Sequence, residues 1–215
     1  VSESAEWAHP MWIVGTHLLR ILDSGELVGI HGNPAQEKIA LIDPNTGTWR
    51  DLECNLTNFA HLSVYQDRIF TIGGGSKILS ALVELTTTGT TDAEVIAQVA
   101  APIDQEFLPV AQAISFPSQN GRTVHAFMSP ATNPNYESTE LPPVMITVHG
   151  GPTGNTTGVA SIKRAFFTSR GFTVVDVDYG GSTGYGRAYR ETLKGQWGVV
   201  DTEDILAVVN GLIST

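Results

Sequence analysis

The feature that most limits what this chain can fold into is a change of texture near its middle. Upstream, apolar runs are brief and turn residues recur about every ten positions, and no stretch of ten or more residues carries helical periodicity. Strands are predicted at 17–22, 26–31, 38–42, 48–52, 62–65, 68–72, 78–85 and 94–99. Asp43-Pro44-Asn45-Thr46-Gly47 is a strong turn signal, and Gly73-Gly74-Gly75 is expected to end the strand before it. About eight strands in consecutive hairpins make two four-stranded sheets, which suits either blades of a β-propeller or a self-contained sandwich.

Downstream the pattern becomes strand, helix, strand, helix. A hairpin is expected from 109–116 and 123–128, followed by a Pro/Asn-rich loop over 129–143. Val144-Met145-Ile146-Thr147-Val148 reads as a strand buried on both faces, as does 172–177. A helix over 160–169 would place Ile162, Ala165, Phe166 and Ser169 on one face, with Gly171 as its stop. A second helix opens near Asp201. Glu203 and Asp204 there favour the positive helix start, and Ile205, Val208, Val209 and Leu212 form an apolar stripe. Such alternation calls for a parallel sheet with crossover helices.

Charge divides at the same place. Residues 1–104 hold five Lys/Arg against thirteen Asp/Glu, a net −8, whereas residues 105–215 are at −2. The total of −10 excludes a nucleic-acid binder, which needs clustered cations to displace counterions. No stretch reaches the roughly 20 apolar residues of a membrane span, so no membrane partner is expected. The start at Val1-Ser2-Glu3 has no apolar core of a signal peptide, and the single Cys54 allows no internal disulfide; both favour a cytoplasmic location. The six histidines show no metal-ligand spacing, so no metal and no cofactor are expected. Trp7, Trp12, Trp49 and Trp197 are assigned to packing, and Asp176 and Asp178 to strand-end hydrogen bonds with loop amides.

Two clusters carry chemistry. His149-Gly150-Gly151-Pro152 follows a strand directly, and a glycine pair there lets backbone N–H groups approach a ligand. Acyl transfer needs preorganised donors of that kind where a carbonyl oxygen gains charge, although Gly-Gly-Pro also serves as a plain tight turn. The second cluster, Asp178-Tyr179-Gly180-Gly181-Ser182-Thr183-Gly184-Tyr185-Gly186, has neither the P-loop lysine nor the dinucleotide glycine spacing.

Taken together, these clusters, with Gln196-Trp197-Gly198 and the acidic run 201–204 beyond them, resemble the prolyl oligopeptidase family of serine peptidases. The likeness is to its dipeptidyl-peptidase and acylaminoacyl-peptidase branch, and it extends back through 114–117, 121–127 and the Pro134-Asn135 loop. It covers 107–215 closely and 1–106 only in strand texture. Gly180 departs from the family, whose members commonly have arginine there, so an ion pair made by that arginine is absent.

The resemblance implies β plus α/β architecture. A partial β-propeller of about two blades over 1–106 would precede the N-terminal portion of an α/β-hydrolase domain over 107–215. It implies that the Gly151 N–H is an oxyanion donor, that His149, Gly150 and Pro152 shape its loop, and that Tyr179 and Tyr185 belong to an active-site loop, with Tyr185 near substrate. His149 is expected to take no general-base role. Short peptides are the implied substrates, and a homo-oligomer is compatible with the family.

No serine lies in G-x-S-x-G. The family places its nucleophile on the strand after the helix that starts near Asp201, so Ser, Asp and His are all expected beyond Thr215. The chain is thus expected to be a slice of a longer serine peptidase and inactive alone. The competing readings are a non-catalytic peptide- or protein-binding module and an esterase of the α/β-hydrolase superfamily.

Overall fold

A computed structural model describes residues 6–10, 12–88, 93–151 and 153–214. Pro152 and the tip at 89–92 therefore lie outside the described residues. The described chain is mostly sheet, with three α-helices.

Strands β1 (Leu19–Ile21), β2 (Leu27–Asn33), β3 (Gln36–Ile42) and β4 (Trp49–Leu52) form an antiparallel meander. Strands β5 (Asn58–Tyr65), β6 (Arg68–Gly75), β7 (Ile78–Leu85) and β8 (Glu94–Gln98) form a second. The predicted turn at Asp43 closes as its residue types dictate: Asp43 accepts the Asn45 N–H at 2.8 Å, and Gly47 takes φ +72°. Both sheets share one core, in which Val28, Ile39, Ile69 and Val83 are fully buried. Period-two alternation places those side chains inward.

The glycine run forms the last three residues of its strand rather than a turn after it. Gly73, Gly74 and Gly75 lie inside β6, because neighbouring side chains occupy the space their Cβ atoms would need. A Cβ on Gly73 would come within 2.6 Å of Leu56, and one on Gly74 within 2.6 Å of Val159. The run is a close-packing device between elements.

The third sheet is mixed. It contains β9 (Gln112–Pro117), β10 (Thr123–Ser129), β11 (Val144–Val148) and β12 (Thr173–Asp178), in the order β11-β12-β10-β9. β11 and β12 are parallel, while β12–β10 and β10–β9 are antiparallel. Of the two strands expected to be buried on both faces, only β12 is. β11 has a single partner among the described residues, and Val144 and Val148 stay about half exposed. Helix α1 (Ile162–Thr168) starts at an Ser161 cap and ends at Gly171, φ +89°, as expected. Its buried face is Ala165 and Thr168 rather than Phe166, which stands half exposed beneath the Arg170 guanidinium. A five-residue helix, α2 (Arg187–Glu191), follows the glycine loop.

Helix α3 (Val200–Ser214) lays Ile205, Val208 and Leu212 on the third sheet's core. Gly211 packs so closely on the Phe116 ring that a Cβ there would overlap it. Asp204 is not a solvated helix-start acid but is buried, 1% exposed. The tryptophans divide. Trp7 stacks on His31 at 4.5 Å and meets Trp49 edge-on, whereas Trp12 and Trp197 are mainly exposed and pack no core.

Candidate active site

Parallel pairing of β11 and β12 puts Val148 opposite Val177, so both strands end together and release their loops on one side. Such paired carboxyl ends are where open α/β sheets bind ligands. His149-Gly150-Gly151 leaves β11, and the 179–186 loop leaves β12.

Tyr179 joins the two loops. Its ring stacks on the His149 imidazole, 4.6 Å between centroids, and its hydroxyl donates to the Gly151 carbonyl at 2.6 Å. Gly151 has φ +70° and is exposed, with nothing within 4 Å of where a Cβ would stand. Its N–H has no acceptor among the described residues. The loop thus presents an unpaired backbone donor to solvent while its carbonyl is tied down from behind.

His149 Nε2 lies 2.6 Å from the Ser182 hydroxyl and 4.0 Å from Asp178 Oδ1. The three side chains match the composition of a catalytic triad. Ser182 is completely buried, and its one proton goes to the Tyr179 carbonyl at 2.7 Å. His149 Nε2 therefore carries the proton of the Ser182 bond, and burial holds its pKa below the usual histidine value. The Ser182 contact ties the imidazole to the second loop.

Asp178 holds the second loop. It accepts from the Thr156 N–H and hydroxyl, each at 2.8 Å, and from the Tyr185 hydroxyl at 2.6 Å. Burial outweighs these bonds and raises its pKa to about 6. Tyr185 stacks on His125 at 4.3 Å, and its hydroxyl is pushed up by burial and by Asp178. Its ring lines an open cavity of about 750 Å³ with His125 and Phe127.

That pKa sets a pH dependence. Below about pH 4, Asp178 is protonated in both the folded and the unfolded chain. Between about pH 4 and 6 the unfolded chain ionises this group while the folded protein keeps it protonated, so stability falls, by about 2–3 kcal/mol in all, and levels off above 6. Asp178→Asn does not titrate. The wild type should therefore lose about that much stability relative to the variant between pH 4 and 7.5, read by urea denaturation. A difference that stays constant across the window contradicts the assignment.

Two anchors fix the glycine loop from outside. The Gly184 N–H donates to Glu6 at 2.7 Å, and Gly184 sits so close to Pro34, in the β2–β3 turn, that a Cβ would overlap the ring. The Gly180 N–H donates to Asp204 at 2.8 Å, and Asp204 also accepts from Arg122 at 2.9 Å and from Ser118. A Cβ on Gly180 would stand 2.6 Å from Thr192 Oγ1. Arg122 brings its cation to Asp204 from the β9–β10 turn.

Sequence reasoning brought together His149, Gly150, Gly151, Tyr179 and Tyr185, and the structure gathers them at one sheet end. It passed over Thr156 and the buried roles of Ser182, Asp204 and Arg122. Asp176, grouped with Asp178 as a strand-end acid, pairs instead with Arg164 at 3.1 Å and accepts from Thr147. Among the described residues, no group of three or more His, Cys, Asp or Glu side chains could hold a metal ion, and no helix is long and apolar enough to cross a membrane.

Residues 159–215, which carry the glycine loop and α3, match the profile of the prolyl oligopeptidase family. Over that segment the chain is similar to that family. Its whole length superposes on a puromycin-hydrolysing peptidase of Mycobacterium tuberculosis with TM-score 0.92 and 38% identity, covering 34% of that chain. A dipeptidyl-peptidase 5 of Schizosaccharomyces pombe is 33% identical over 94 residues, 43% of this chain and 14% of that protein. An acylamino-acid-releasing enzyme 2 of Oryza sativa is 32% identical over 71 residues, 33% of this chain and 9% of that protein. The chain thus spans about a third of the similar peptidase structure, and its matches cover still smaller shares of the two sequence relatives.

Proposed function

We propose that this chain is part of a prolyl oligopeptidase-family serine peptidase that hydrolyses short peptides through an acyl-enzyme. The two antiparallel meanders over 1–106 are read as about two blades of a β-propeller. Residues 107–215 are read as the first part of an α/β-hydrolase domain, with the nucleophilic Ser and its Asp and His partners beyond Thr215. The observation that carries this reading is the exposed Gly151 N–H at the end of β11, unpaired and held in position through its own carbonyl. A donor so placed meets the requirement of an oxyanion hole, which must be rigid before the charge develops. Gly150 belongs to the same loop, and Tyr185 lines the wall against which substrate rests.

In this reading residues 1–215 by themselves hydrolyse nothing, since removing triad members costs several powers of ten in rate. A fluorophosphonate probe on the full-length gene product should label one serine, C-terminal to Thr215, with none labelled within 1–215. Modification of Ser182 or of another serine in this chain would overturn the assignment. So would a full-length product that neither reacts with the probe nor cleaves peptides, the outcome that fits a non-catalytic binding module.

A further inference from the structure

The chain has eight arginines. Six have side-chain partners: Arg68 with Glu84, Arg122 with Asp204, Arg164 with Asp176, Arg170 over Phe166, Arg50 on the Thr87 carbonyl and Arg20 on that of Leu19. Among the described residues, the side chains of Arg187 and Arg190 have none. Both line one cavity of about 560 Å³, walled by Trp7 and Trp12 and floored by Thr153.

These two guanidiniums have no local structural role that accounts for them. Arg187 is the first residue of α2, where a cation opposes the helix dipole and stabilises nothing. Arg190 lies three residues on, so both side chains leave one face of the helix. The acid in the lining, Glu6, already accepts the Gly184 N–H, and His9 is paired with Glu37 at 2.8 Å. The cavity thus offers two unpaired, forked donors between aromatic walls in a chain whose net charge is −10. A guanidinium pair suits a planar carboxylate, which it can bind bidentately.

Position narrows the ligand. Thr153, which accepts from the Trp12 indole at 2.5 Å, is two residues past Gly151. Two residues of extended chain span about 7 Å at most. The cavity therefore borders the loop that carries Gly151.

We propose that Arg187 and Arg190 form a subsite for the free terminal carboxylate of a short peptide, and so select di- and tripeptides over longer chains. The proposal rests on the peptidase reading above and adds its substrate class. It is tested on the full-length protein with trialanine, trialanine amide and Ala-Ala-Asp-amide, comparing kcat/KM within each preparation so that differences in folded fraction cancel.

Trialanine should be preferred over its amide by about 10- to 100-fold, mainly through KM, as expected for a charge-assisted contact. Arg187→Ala/Arg190→Ala should bring that ratio to within about twofold of one, and Arg187→Lys/Arg190→Lys should keep part of it. Equal cleavage of acid and amide by the wild type, an unchanged ratio in the double alanine variant, or a preference for the aspartyl amide over trialanine overturns the subsite while leaving the peptidase reading intact. Cleavage of none of the three overturns both.

Discussion

Asp204→Ala is expected to destabilise the folded protein by about 3–5 kcal/mol, read as a shift in the urea midpoint at constant slope. The carboxylate is buried and is the common acceptor for Arg122, Ser118 and the Gly180 N–H. Its removal leaves the Arg122 guanidinium, whose Nε already has no partner, with only the longer contact to Glu203 at 3.4 Å, and leaves a buried backbone donor unpaired. An uncompensated buried charge is what makes breaking such a pair costly, whereas replacing both partners by apolar groups of similar volume is mild. Asp204→Leu/Arg122→Met should therefore cost less than Asp204→Ala alone, despite altering two residues. A loss below about 1 kcal/mol for Asp204→Ala would show that water reaches the site and that the anchor is ornamental.

Asp204 also marks where sequence reading runs out. Its place near a helix start is explained locally by the dipole, and nothing nearby in sequence says that its partner is Arg122, 82 residues upstream. The hairpins were legible because turn chemistry is local: Asp43, Asn45 and Gly47 announce their own geometry. β11 and β12 have the same apolar, β-branched texture, and only lateral order in the sheet decides which is buried on both faces. The run Gly73-Gly74-Gly75 misled for a related reason, since a glycine needed for a turn and one needed for close packing are identical in sequence. Leu56 and Val159 settle the matter, and both are remote in the chain from at least part of that run.

The candidate site was more legible than the fold around it. His149-Gly150-Gly151 and Tyr179 were singled out from spacing and from resemblance, and the parallel register of β11 and β12 brings them together. What spacing could not convey was the wiring. The Tyr179 hydroxyl holds the Gly151 carbonyl, and the Ser182–His149 bond ties the two loops together. Thr156 escaped notice because a backbone N–H and a hydroxyl that meet an acid 22 residues later leave no periodic trace.

The second large effect is expected at Gly151 itself, in the full-length protein. Gly151→Pro removes the backbone N–H and forces φ to about −65° where the structure has +70°. Peptide kcat should fall by about 10²–10³, the usual consequence of losing one oxyanion donor, with KM little changed. Gly151→Ala keeps the N–H and bears only the cost of left-handed backbone, roughly 1–2 kcal/mol, so its loss should stay near tenfold. The alanine methyl meets no neighbour, since nothing lies within 4 Å of the Cβ position, and the loop is exposed, so global unfolding is not the expected cause of its loss. Tyr179→Phe belongs between them: the N–H remains, but the carbonyl behind it is released and the donor is no longer fixed where charge develops. Hence the order proline, phenylalanine, alanine, from most to least damaging, tests preorganisation separately from mere presence of the donor. A proline variant within tenfold of the wild type would remove Gly151 from the oxyanion hole. A Tyr179→Phe enzyme as active as the wild type would leave the donor in place and refute its bracing.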